Sequence, residues 1–314
     1  MIYSAAQVRE ATPWPKLIEA LGAQFKQGCV VPVRHHHQIN VPGEEQATLL
    51  LMPAWIEGEY LGVKQVYVFP GNGERNLPAI HGNYLLNCGK TGQLLAMIDG
   101  PELTSRRTAA ASVLAARYLA RPDSANLLLV GTGKLCPNLV AAYASSFPLQ
   151  RIAIWGRDVK KSQAVAEQLR QDGYPAVAVE QLQAAVESAD IISCCTLSQQ
   201  PLIQGEWLKP GSHLDLVGGF RPNMREADDA AIRRSRVYVD NIEGASQEAG
   251  DIVVPLQSGV LTLEAIQADL FQLCRGERSG RTNADEITLF KSVGIALEDL
   301  AAAILVYRTL QGQA

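Results

Sequence analysis

Apolar positions change their rhythm along this 314-residue chain, and the change divides it. Residues 13–28, "PWPKLIEALGAQFKQG", carry apolar side chains at helical spacing and stop at Gly28. Five strand-like runs follow, "CVVPVRHHHQINV", "ATLLLMPAWI", "YLGVKQVYVFP", "AIHGNYLLNCG" and "GQLLAMIDG", parted by Gly, Pro and Asn turns. "PELTSRRTAAASVLAARYLA" then predicts an Ala-rich helix that stops near Pro122. From residue 126 strand and helix alternate. "NLLLVG" is apolar without period-2 alternation, as in a parallel strand buried on both faces. Strands "RIAIWG", "AVAV", "DIISCCT", "SHLDLVGG" and "RVYVD" continue the series, with helices "KKSQAVAEQLRQ" and "LQAAVESA" among them. This is the βαβ succession of a doubly wound α/β sheet. The last segment, "DEITLFKSVGIALEDLAAAILVYRTL", reads as one long helix with Asp285 near its start. Packed back on the first domain, it makes that domain discontinuous in sequence.

Composition narrows the classes. With 47% hydrophobic and 19% charged residues the chain is expected to be a soluble globular protein, long enough for two cores. A net charge of −4 without a dense Lys/Arg stripe gives no reason to expect nucleic acid. No apolar run reaches membrane-spanning length; "GIALEDLAAAILVY" comes nearest and is interrupted by Glu298 and Asp299. The N-terminus lacks the basic and apolar regions of a secretory signal, and the six cysteines show no CxxC pair or zinc spacing. Reduced thiols in a cytoplasmic protein are the expectation. His35, His36 and His37 suggest a metal, but only His35 and His37 share a strand face, and the motif holds no carboxylate or Cys ligand. No metal site is expected.

The chemistry begins at "VGTGKLCPNLVAAYA", residues 130–144. Gly131 and Gly133 have the spacing of a dinucleotide-binding turn, directly after a buried strand and opening a helix. Gly131 permits the tight turn; Gly133 lets the backbone approach a pyrophosphate at the helix N-terminus. The third glycine of the fingerprint serves helix–strand packing, and the small Cys136 takes its place. Pro137 falls in the first helical turn, where its missing N–H has no intrahelical partner to lose.

The second strand bears on which dinucleotide. A site for NAD usually ends this strand in Asp or Glu, bonded to the ribose 2′-hydroxyl. Here the strand ends "IWGRDVKK", with Arg157 in the acidic slot and Lys160 and Lys161 beyond. A guanidinium suits a 2′-phosphate, so NADPH is expected, with NADH possible. Two alternatives stay open: Asp158 reaching a ribose, and a solvated charge cluster at a strand end.

Together these segments resemble the ornithine cyclodeaminase/mu-crystallin family over nearly the whole chain. The resemblance rests on "PVRHHH", "LGVKQVYVFPGN", "LTSRRTAAASVLAARYLAR", "VGTGKLC", "GSHLDLVGGFRPNMREADD", "VYVDN" and "LFKSVGIALEDLAAA". It implies a Rossmann domain, residues 110–286, inserted into a substrate and dimerisation domain built from residues 1–109 and 287–314. It further implies a homodimer whose end domains join their sheets into a barrel. Carried over by position, Arg34, Lys64 and Arg107 bind a substrate carboxylate, with Lys64 and Arg107 catalytic. From the residues alone, Arg34 and Lys64 lie within strand-like apolar runs where an unpaired charge is expensive, and a structural ion pair or a snorkelling side chain stays open for each cation. For the cofactor the resemblance implicates Gly131, Thr132, Gly133, Lys134 and Leu135 at the turn and Arg157 at the 2′ position. Thr196, Val217, Gly218 and Ser292 complete that lining, and Phe220 and Val293 contact substrate.

One departure sorts the activities. In cyclodeaminases of this family an aspartate follows the Gly-Gly of "LVGG" and handles the substrate's amino group. Phe220 stands here, and the nearest carboxylate upstream is Asp215 within the strand. A phenyl ring neither accepts a proton nor pairs with an ammonium. Within the family the chain most resembles the bacterial reductases of Δ1-pyrroline-2-carboxylate. The expected activity is therefore NAD(P)H-dependent reduction of a cyclic ketimine acid to L-proline or L-pipecolate. Ornithine cyclodeaminase and a non-enzymatic, NADPH-dependent binding protein of the mu-crystallin kind are the alternatives.

Overall fold

Strand alternation organises the first of two units. A computed structural model describes residues 1–313. Its contacts group Met1–Arg107 with the residues from Ile295 onward, and set Thr108–Gly294 apart as the second unit.

In the first unit β1 (Ile2–Tyr3) precedes α1 (Ala5–Ala11) and α2 (Trp14–Gln27). Ser4 and Gln7 close a reciprocal capping box on α1, and α2 buries Leu17, Ile18, Leu21 and Phe25 along one face. Then come β2 (His35–Ile39), β3 (Ala47–Ile56), β4 (Tyr60–Val68), β5 (Ile80–Cys88) and β6 (Leu94–Asp99), each antiparallel to the next. β1 adds a parallel edge beside β6, giving the order β1-β6-β5-β4-β3-β2. In this register Lys64 of β4 lies between Met52 of β3 and Tyr84 of β5, on a face where all three are buried. The chain leaves the sheet through α3 (Gly100–Leu119).

The second unit is built on β7 (Asn126–Val130), α4 (Leu135–Ala144), β8 (Arg151–Trp155), α5 (Val159–Gln171), β9 (Ala176–Ala178) and α6 (Leu182–Ser188). It continues with β10 (Ile191–Cys194), β11 (His213–Leu216), α7 (Asp229–Arg234), β12 (Ser235–Val239), α8 (Ile242–Glu248) and α9 (Gly250–Ser258). β13 (Ile266–Asp269), α10 (Leu270–Arg275) and β14 (Ile287–Lys291) complete it. All eight strands are parallel, in the order β13-β12-β14-β11-β10-β7-β8-β9. The winding reverses between β7 and β10, and a doubly wound sheet binds ligands beyond the carboxyl ends of its strands at such a reversal. Leu128, Val130, Ile192, Leu214 and Leu289 belong to the buried core of this sheet.

The C-terminal segment departs from expectation. It is not one long helix: residues 287–291 form β14, hydrogen-bonded between β11 and β12, and only Ala296–Leu310 is helical, as α11. "ITLFK" is buried at every position, so it carries no period-2 signal and merges with the apolar helix that follows. Residues 287–294 consequently group with the second unit, and α11 with the first, where it packs on α2 and on β3, β4 and β5. β13 and the short α1 were not foreseen either, being too brief for their periodicity to be read.

Candidate active site

In the first unit, sheet and helix bring cations and carboxylates together in a buried layer. α11 begins with Glu298 and Asp299, both fully buried, on its first turn. Lys64 Nζ lies 2.6 Å from Asp299 Oδ2. Arg107, near the middle of α3, donates from Nε to Asp299 Oδ1 at 3.0 Å and from Nη1 to Glu298 Oε2 at 2.6 Å. Lys64 and Arg107 are therefore in ion pairs. Pairing does not exhaust them, since a guanidinium has five N–H donors and an ammonium three.

Charge states follow from burial and neighbours. Burial and the nearby Arg107 charge pull the Lys64 ammonium from its ordinary 10.5 down to about 8, against the attraction of Asp299; Arg34 adds further repulsion. Burial alone would lower the Arg107 pKa, but Asp299 and Glu298 outweigh it and hold the guanidinium above its ordinary range. Burial would raise Asp299; Arg107 and Lys64 reverse that and keep its carboxyl below the usual carboxylate range. Arg34, half-buried just before β2, is thus electrostatically coupled to Lys64. Lys64 and Arg107 are thus offset by two buried carboxylates, and Arg34 adds positive charge beside them.

In the second unit the remaining predicted residues stand at the carboxyl ends of the strands. The turn Gly131, Thr132, Gly133, Lys134 and Leu135 joins β7 to α4. Gly131 has φ +128°, and a Cβ there would come within 2.9 Å of the Cys195 carbonyl oxygen. A Cβ on Gly133 meets nothing within 4 Å, and the N-terminus of α4 has no side-chain cap. This open, glycine-lined helix start fits a pyrophosphate. Cys136 is fully buried in the packing role of a third glycine. After β8, Arg157 is exposed, whereas Asp158 Oδ1 accepts from the Lys160 and Lys161 amides as the N-cap of α5.

Two buried carboxylates that sequence reasoning missed hold the other loops. Thr196, after β10, donates to Glu226 Oε1 from both its amide (2.7 Å) and its hydroxyl (2.8 Å). Gly218 and Gly219, after β11, donate their amides to Glu226 Oε2 at 2.8 and 3.3 Å. Val217 is buried. After β14, the Ser292 hydroxyl and the Val293 and Gly294 amides all donate to Asp240 Oδ2. The hydroxyls of Thr196 and Ser292 thus face inward, toward carboxylates. Glu226 and Asp240 lie within the segments "GSHLDLVGGFRPNMREADD" and "VYVDN", but no spacing or periodicity gives either a role.

Phe220 is 42% exposed, with the Arg221 guanidinium carbon 5.5 Å above its ring. Asp215 does not replace the missing aspartate. It is fully buried in β11 and accepts from the hydroxyls of Ser193 (2.7 Å), Tyr143 (2.9 Å) and Ser112 (3.3 Å); burial pushes it up to about 6. His35 and His37 share a face of β2, rings 6.3 Å apart, and all three histidines of the run are exposed. Among the described residues no helix is long and apolar enough to cross a membrane.

Comparison with known proteins agrees with this architecture. The Δ1-pyrroline-2-carboxylate reductase of Paracoccus denitrificans is 40% identical over 302 residues, 95% of this chain and 93% of the relative. The structure of the Thermococcus litoralis Δ1-pyrroline-2-carboxylate reductase in complex with NADH and L-proline matches with a TM-score of 0.91 and 32% identity, over 99% of this chain and 98% of that one. An archaeal alanine dehydrogenase dimer with bound NAD matches with a TM-score of 0.90 and 27% identity, over 100% and 96% of the two chains. The model of the ornithine cyclodeaminase/mu-crystallin family matches residues 1–314, and with the mixed sheet, the parallel sheet and the glycine turn in place the chain belongs to that family.

Proposed function

We propose that this protein reduces cyclic ketimine acids with NAD(P)H, converting Δ1-pyrroline-2-carboxylate, or its six-membered homologue, to L-proline or L-pipecolate. The observation that carries the reading is full-length likeness to a reductase seen with NADH and L-proline. Phe220, where a cyclodeaminase has aspartate, agrees with it.

The dinucleotide, when bound, supplies the hydride that adds to the imine carbon. The glycine turn and the α4 N-terminus hold its pyrophosphate. Arg157 holds a 2′-phosphate, a role favoured because Asp158 Oδ1 is committed to capping α5. Thr196, Val217, Gly218 and Ser292 line the same site. Arg34 and Arg107 bind the substrate carboxylate and fix its orientation, which lowers the barrier by pre-paid entropy. Lys64 gives its proton to the imine nitrogen; with its ammonium drawn down to about 8, it is the cation of the three that releases a proton most readily. Phe220 and Val293 offer apolar contact to ring methylenes. The first unit pairs with a second copy as a homodimer in the cytoplasm; the exposed Val33, Leu77 and Ile80 are apolar surface in keeping with such pairing.

The test is NAD(P)H oxidation with Δ1-pyrroline-2-carboxylate, Δ1-piperideine-2-carboxylate, pyruvate plus an amine, and L-ornithine as separate substrates. Turnover of either cyclic imine is expected. Cofactor binding without turnover of any of them would instead leave the binding protein of the mu-crystallin kind.

A further inference from the structure

We propose that Glu226 is the positioning residue that sets the dinucleotide-facing loops of β10 and β11, acting on the cofactor through Thr196 and Gly218 rather than by contact. The inference rests on the reading of these loops as cofactor-lining. Its one carboxylate gathers four donors from two separate loops: the Thr196 amide and hydroxyl on Oε1, and the Gly218 and Gly219 amides on Oε2. Burial raises the Glu226 carboxyl, but four donors on its two oxygens favour the charged acceptor, and hydrogen bonds to a charged acceptor are about twice as strong as neutral ones. Both loops leave neighbouring strands immediately beside the reversal at β7.

The loops touch where Glu226 ties them. A Cβ on Gly218 would lie 1.9 Å from the Thr196 carbonyl oxygen and 2.7 Å from Glu226 Oε1, so no side chain fits between. Glu226 is itself held rigidly. Its amide and that of Ala227 donate to Asp251 Oδ1, and Lys291 Nζ stands 3.5 Å from Asp251 Oδ2 while donating to the Leu216 carbonyl just before the β11 loop. Carboxylate, aspartate and ammonium are all fully buried. A chain of fixed contacts thus runs from α9 and β14 through Glu226 to two amide-bearing loops. An amide at 226 would keep the shape but turn an N–H₂ toward the N–H groups of one loop.

The experiment measures dissociation constants of NADPH and NADH for the full-length protein, by quenching of tryptophan fluorescence, alongside the thermal midpoint of the cofactor-free protein. Glu226→Gln is expected to weaken both dinucleotides by about tenfold or more. Arg157→Ala, in contrast, is expected to weaken NADPH alone. Glu226→Asp, which keeps the charge but shortens the reach, is expected to weaken both as well, and serves if the Gln variant does not fold. A lowered thermal midpoint with unchanged dissociation constants would overturn the proposal, leaving Glu226 a purely structural residue. Failure of both variants to fold would overturn it equally. If the unsubstituted protein binds neither dinucleotide, it is the reading of the loops that fails.

Discussion

Asp299 Oδ2 lies 2.6 Å from Lys64 Nζ, with both side chains buried, and the same carboxylate holds Arg107 through Oδ1. One aspartate on the first turn of α11 therefore orients two of the three cations assigned to the substrate carboxylate. Asp299→Asn leaves the volume but removes the shared anion, so two buried cations lose a partner. Breaking a buried pair this way costs about 3–5 kcal/mol. The variant is expected to unfold at clearly lower denaturant and to lose at least about tenfold in kcat/KM. Parent-like values of both would make the shared carboxylate dispensable.

The lowered Lys64 pKa gives stability and activity opposite pH trends. Between about 8 and the ordinary 10.5, the unfolded chain binds a proton at Lys64 that the folded chain has released. The Lys64 contribution to stability therefore rises with pH through that window, and the cost of the buried ammonium is fully present below it. Activity runs the other way, because neutral Lys64 neither attracts the carboxylate nor donates a proton. kcat/KM for a cyclic imine is expected to fall above about pH 8, and Lys64→Met should abolish that limb along with most activity. Stability of the parent minus that of Lys64→Met isolates the residue from other alkaline titrations. A difference that stays flat from pH 8 to 10 would contradict the assignment.

Legibility in the sequence followed the physics of each element. The β7 turn was readable because a phosphate-binding corner needs particular glycines at particular places, and Gly131 at φ +128° is one. The strands of the first unit were readable from their turns. β14 was not, since a central parallel strand buried on all sides has no alternation and adjoins an apolar helix. Glu298 and Asp299 were visible as charges interrupting an apolar run. Arg107 and Lys64 came from the family resemblance, and nothing in the sequence joined them to these two carboxylates, because the partners lie on elements far apart in the chain. Glu226 and Asp240 lay inside segments that resemble the family but without a role, because most of their partners are backbone amides, and an amide has no letter in a sequence.

Cofactor preference turns on Arg157. Its neighbour Asp158 caps α5 through Oδ1, which leaves the guanidinium as the group suited to a 2′-phosphate. NADPH is expected to bind more tightly than NADH, and Arg157→Ala to remove most of the difference, on the order of tenfold or more for a lost charge-assisted bond. Equal dissociation constants for the two cofactors in the unsubstituted protein would remove the basis for this assignment.

Phe220 separates a reductase from a cyclodeaminase. L-Ornithine carries two ammonium groups, and its oxidation requires one to lose a proton beside the departing hydride. Position 220 offers that ammonium no anion, and Asp215 is held within β11 by three hydroxyls. An ammonium desolvated beside that ring without a partner would cost several kcal/mol, on the order of a thousandfold or more in binding. A cyclic imine makes no such demand, and its methylenes pack against a phenyl ring. Ammonia release from L-ornithine is therefore expected to be negligible under conditions where Δ1-pyrroline-2-carboxylate drives NAD(P)H oxidation. Phe220→Asp is expected to weaken imine reduction by replacing apolar contact with a charge that must be desolvated. Gain of the lyase is not required of that variant, because a proton acceptor alone does not create a pocket for the second ammonium. Robust ammonia release by the unsubstituted protein, measured by a coupled glutamate dehydrogenase assay, would restore the cyclodeaminase and refute the role given to Phe220.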